Sequence, residues 1–82
     1  MRKQPRATLA SFSLFVMRED DERFKLKKGD VFVGAPYQYD PGKTSVAFRI
    51  RDGFDPGCNQ YNNSIRPLTA EETERVMWGG KL

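Results

Sequence analysis

A chain of 82 residues that is 38% hydrophobic and 12% aromatic makes one small domain with a ring-rich core, and is too apolar for a wholly disordered chain. The formal net charge is +3, yet Arg2, Lys3 and Arg6 alone supply as much, so the basicity belongs mostly to the N-terminal arm. A single cysteine excludes an intrachain disulfide, the lack of histidine removes the commonest neutral-pH base, and no apolar run approaches the roughly 20 residues of a membrane helix.

In chain order, residues 1–8 read as a flexible basic arm and 9–82 as the single domain. Residues 9–17, LASFSLFVM, alternate at period two, with Phe12, Leu14 and Val16 on one face, and are expected to be a strand rather than a signal segment. The charged run 18–23, REDDER, reads as a solvated turn. Phe24 and Leu26 then alternate with Lys25 and Lys27, predicting a short strand, and Gly29 marks a reversal. Residues 31–39 predict a strand with Val31, Val33, Ala35, Tyr37 and Tyr39 on one side, bulged or at an edge around 34–36 because Pro36 cannot donate to a ladder. The DPGK at 40–43 predicts a type II turn with Gly42 at positive φ, and FDPG at 54–57 repeats the signal.

Between those turns, residues 44–52 form the clearest strand pattern. Val46, Phe48 and Ile50 are expected on one face, and Ser45, Ala47, Arg49 and Arg51 on the other. The stretch NQYNN, 59–63, reads as a polar loop, and SIRPLT as a closing strand that runs into a helix at 70–78. Thr69 and Glu72 have the spacing of a capping box, Glu71 and Arg75 that of an i,i+4 ion pair, and the glycines at 79–80 stop the helix. A helix this short does not stand alone in water, so it is expected to dock on the sheet.

The expected fold is mainly β: a small five-stranded antiparallel barrel or bent sheet with one short C-terminal helix. FKLKKGDVFV resembles the strand, diverging turn and next strand of SH3-like small barrels, and NNSIRPL resembles their short helical turn and closing strand. The resemblance covers roughly residues 24–68 and implies a fold but no function.

Chemistry is constrained by what is missing. Cys58 has no histidine to activate it, DPGKT lacks the upstream glycine of a P-loop, and the acidic run 19–22 lacks the spaced ligands of a calcium loop. We therefore expect no catalytic residues, metal or cofactor, and a non-catalytic cytoplasmic binding module with no membrane association. The leading expectation is a nucleic-acid face. Arg49 and Arg51 would lie about 7 Å apart on one strand face, Tyr37 and Tyr39 could stack bases, and Lys43, Arg2, Lys3 and Arg6 could contact phosphates. The alternative is a protein-interaction or inhibitor module, of the accessory type found in phages and mobile elements. It would use Tyr61 among Asn59, Gln60, Asn62 and Asn63, and an edge strand.

Overall fold

The computed structural model describes residues 12–80 and 82; the arm residues Arg2, Lys3 and Arg6 lie outside the described residues. Five strands, β1 (Ser13–Met17), β2 (Val31–Pro36), β3 (Lys43–Arg49), β4 (Asn59–Tyr61) and β5 (Ile65–Pro67), pair antiparallel in the order β4-β3-β2-β1-β5. The sheet curls into a half-barrel, and one short helix, α1 (Ala70–Met77), follows it. Both edges are strands of three residues, and β5 carries Pro67, which leaves little free ladder for another chain to extend.

The concave face holds the core. Phe32 and Leu26 are fully buried, and Met17, Val46 and Ile65 join them, with Phe15, Phe24 and Cys58 packed around the rim. Phe15 stacks on Phe32 at 5.6 Å between ring centroids, as their pairing across β1 and β2 requires. Leu26 reaches this core from a different element than its alternation predicts. Residues 24–27 are not a strand: Glu22–Phe24 form a 3-10 turn, Lys25 adopts a left-handed φ of 60°, and a single bridge joins Asp21 to Leu26. The run REDDER is bonded to its surroundings rather than merely solvated. The Asp20 carboxylate accepts from the Lys28 amide at 2.8 Å, that of Glu19 from the Ser64 hydroxyl at 2.8 Å, and that of Asp21 from the Gln60 amide at 3.0 Å.

The largest departure from simple alternation lies in β3. Val33 pairs with Phe48, but Gly34 pairs with Val46, so Ala47 is an extra residue and the strand bulges there. Downstream of a bulge every side chain changes face. Val46 thus points into the core, whereas Phe48 and Ile50 emerge on the outer face and Arg49 turns inward. Gly34 is the condition for this arrangement: a Cβ there would meet the Ser45 carbonyl oxygen at 2.9 Å and the Phe32 ring at 3.0 Å.

The turns and the helix start follow local chemistry with one exception. Gly57 has φ 65°, as the third position of a type II turn demands, but Gly42 is not in the left-handed region, so the same DPG signal closes in two conformations. In both, the Asp side chain accepts from the Gly amide, at 2.9 Å for Asp40 and 2.8 Å for Asp55. The capping box is present, with the Glu72 amide donating to Thr69 Oγ1 at 3.1 Å and the Thr69 amide to Glu72 Oε1 at 2.9 Å. The helix docks more lightly than expected, for no residue of α1 is buried. Its tether is the ion pair from Arg66 of β5 to Glu72, at 2.8 and 3.0 Å, together with the Leu68 amide donating to the Leu14 carbonyl. Glu71 and Arg75 do not form one of the ion pairs among the described residues.

Candidate functional site

Strand β3 separates the expected site residues into two groups at its two ends. Seven residues at a strand's rise put these ends about 20 Å apart. At the C-terminal end sits Arg49, and the expectation that Arg49 and Arg51 share an open strand face is corrected here. Arg49 is buried, with its Nε and Nη2 donating to the Asp52 carboxylate at 2.9 and 2.6 Å and its Nη1 donating to the Lys25 carbonyl. Its guanidinium also lies 4.7 Å from the centre of the Phe54 ring. Arg51 falls beyond β3, is exposed, and pairs with Asp30 at 3.3 Å. The reason is the bulge: one inserted residue moves Arg49 from the wet side to the dry one.

Arg49 is therefore a structural hub. It ties the end of β3 to the turn at 52–54 and to the carbonyl of the strained Lys25, an acceptor that the loop alone leaves unpaired. The guanidinium holds the Asp52 carboxyl down at about 2, helped by the hydrogen bond from the Phe54 amide. The hydrogen bonds that Arg49 itself donates to Asp52 raise the arginine above its ordinary value.

The N-terminal end of β3 is organised differently. Lys43 lies directly opposite Tyr61 of β4, and its ammonium sits 4.9 Å from the centre of the Tyr61 ring. Asn62 clasps the DPG turn to β4: its amide donates to the Gly42 carbonyl at 2.9 Å, its Nδ2 to the Pro41 carbonyl at 3.0 Å, and its Oδ1 accepts from the Thr44 hydroxyl at 2.7 Å. Tyr37 and Tyr39 do not share a strand face, because β2 ends at Pro36 and both lie in the following turn. They nevertheless meet edge to face at 5.5 Å between centroids, Tyr37 half-buried and Tyr39 77% exposed. Tyr61, also at this end of β3, is 60% exposed.

The two sets of residues expected to serve alternative partners thus converge on one corner. Tyr37, Tyr39 and Lys43 come from the nucleic-acid set, Tyr61 and Asn62 from the protein set. Gln60 does not reach that surface; it is buried, donating to Asp21 at 3.0 Å and to the Cys58 sulfur at 3.6 Å. Asn59 is half-buried, and Asn63 is exposed with its carbonyl accepting from Arg18 at 3.3 Å. The NQY segment, expected as loop, is strand β4. Sequence reading missed the Lys43–Tyr61 pair and the Asn62 clasp because the partners lie 18 to 21 residues apart and only strand pairing joins them.

Cys58 packs against the core rim, and burial pushes its thiol up, away from the thiolate needed for nucleophilic attack. Among the described residues no group of three or more His, Cys, Asp or Glu could hold a metal ion, and no helix is long and apolar enough to cross a membrane. Comparison of the chain with protein-family models, with curated proteins and with solved structures gave no match.

Proposed function

We propose that the protein is a non-catalytic binding module whose contact surface is the corner built by Tyr39, Lys43, Tyr61 and Asn62, and that its partner is a protein. The observation that carries this reading is the pair of tyrosines, 77% and 60% exposed, mounted on a turn and strand locked by the Asn62 hydrogen bonds. Exposed tyrosines with neighbouring amides supply rigid amphipathic contact area together with adaptable hydrogen bonding. A pre-organised frame also lowers the ordering cost of binding.

A nucleic-acid partner would use the same rings for stacking, but the corner offers Lys43 as its cation, beside Asp40, now that Arg49 is internal. Phosphate binding draws on several cations at once. The balance therefore favours a protein.

A photo-crosslinking residue placed at Tyr61 or Tyr39 in the cell of origin tests this directly. The expected result is one discrete protein adduct from both positions and none from a probe at Asp55, a turn removed from the corner. Binding of single- or double-stranded oligonucleotides at about 50 mM salt that is lost in Lys43→Ala, with no protein adduct, would replace the reading with the nucleic-acid one.

A further inference from the structure

The outer face of the sheet carries a second surface. Across the strands Arg66 pairs with Val16, Val16 with Val31, and the Ile50 amide donates to the Val31 carbonyl, so these four side chains form one row. A second row, Leu14, Val33 and Phe48, runs beside it. Phe48 and Ile50 are 41% and 38% exposed on this face. Between the sheet and the end of α1 lies a groove of about 920 Å³, lined by Val31, Ile50 and Val76 over the buried Val16.

Its rim is cationic. Arg18, Lys28, Arg51 and Arg66 line it with the carboxylate of Asp30, a lining charge of +3, while Glu72, outside the lining, holds Arg66. Of the chain's net +3, residues Arg2, Lys3, Arg6 and Lys81 supply +4, so the described body is net −1 and everything in it outside the groove sums to −4. The groove is thus net cationic on a body that is otherwise net acidic. Two of its cations are not spent on carboxylates: among the described residues Lys28 has no ion-pair partner, and Arg18 donates only to a backbone carbonyl.

We propose that this groove docks an acidic, amphipathic segment of a protein partner. Its aliphatic side chains lie on Val31, Ile50 and Val76, and its carboxylates meet Arg18, Lys28, Arg51 and Arg66. An apolar floor under a cationic rim matches that chemistry on both counts: the floor desolvates aliphatic groups, and the rim selects the sign of charge and speeds encounter. A nucleic acid would satisfy the rim but leave the floor facing a polar backbone. The surface is independent of the tyrosine corner, which lies at the other end of β3.

The test is fluorescence anisotropy at about 50 mM salt with two labelled peptides, one setting leucines at helical spacing among glutamates, the other among lysines. The glutamate peptide is expected to bind saturably, more weakly as salt rises, and the lysine peptide not at all. Lys28→Glu, at an exposed and unpaired position, should weaken binding about tenfold or more without moving the melting curve, and Ile50→Asp should weaken it through the floor. Tyr39→Ala and Tyr61→Ala should leave it unchanged, which separates this surface from the corner. The proposal is overturned by equal binding of both peptides, by no saturation up to about 1 mM, by indifference to Lys28→Glu, or by self-association through this face that excludes the peptide.

Discussion

The two ends of β3 begin from similar material and finish with opposite roles. Each end carries a cation beside an aromatic ring and a DPG turn close by. At the Lys43 end the ammonium rests on Tyr61 at the surface, and the internal hydrogen bonds are made by Asn62, leaving the Tyr61 ring 60% exposed. At the Arg49 end the cation itself makes the internal bonds, to Asp52 and to the Lys25 carbonyl, while Phe54 lies against it. A charged residue near an aromatic ring therefore stays at the surface or becomes a structural bolt according to which group satisfies the neighbouring backbone. Burial decides between them.

The sharpest way to break this contrast is to remove each cation in turn. Arg49→Ala leaves the Lys25 carbonyl and Asp52 without their donor and should lower the melting temperature on the order of 10 °C, whereas Lys43→Ala should change it by only about 2 °C. Equal effects in thermal unfolding would mean the two ends do not differ as described. Gly34→Ala probes the bulge that generates the contrast. The added methyl meets the Ser45 carbonyl at 2.9 Å, so a loss of about 1–3 kcal/mol is expected by urea unfolding. A neutral result would show that β3 can shift away from β2.

Acid titration separates the ends more gently. Asp52 titrates at about 2 in the folded protein against an ordinary 3.8, and Glu72 at about 2 against 4.5, the first held down by Arg49 and the second by Arg66. Because both are depressed, the stability they contribute is present above about pH 4–5 and is lost as pH falls toward 2. The melting-temperature gap between the parent and Asp52→Asn should accordingly be open at pH 6 and closed by about pH 2. A gap that persists at low pH would show that the Arg49 bond acts without its charge. The smallest expected effect is Tyr61→Ala, within about 0.5 kcal/mol in stability, because most of that ring faces solvent. A larger loss would make Tyr61 a packing residue and remove half of the corner.

Much of the fold was legible where the deciding forces are local. Thr69 and Glu72 announced a helix start because both hydrogen bonds of a capping box close within three residues. The alternation over 9–17 located β1, described from Ser13. The strand expected to run to residue 39, bulged or at an edge, instead stops at Pro36 and lies in the middle of the sheet. The candidate site was less legible. Tyr39, Lys43 and Tyr61 were singled out by residue type, but for different partners and as parts of separate surfaces. Arg49 was taken for a surface group because its alternation was followed through position 47 without a break. Gln60 was taken for a contact residue because its neighbours are polar, while its actual partners, Asp21 and the Cys58 sulfur, include one 39 residues away.

The sequence by itself determined the class of the molecule: short strands divided by Asp-Pro-Gly turns, a capped helix, and the lack of histidine. These follow from dihedral preferences, hydrogen bonds spanning a few residues, and composition. Only the tertiary structure decided which face each side chain of β3 occupies, since a bulge is a property of two strands together. Ala47 is extra only relative to β2, and Gly34 permits the close approach only because Ser45 arrives there. From that single displacement follow the burial of Arg49 and the exposure of Phe48 and Ile50, the latter part of the groove on the outer face.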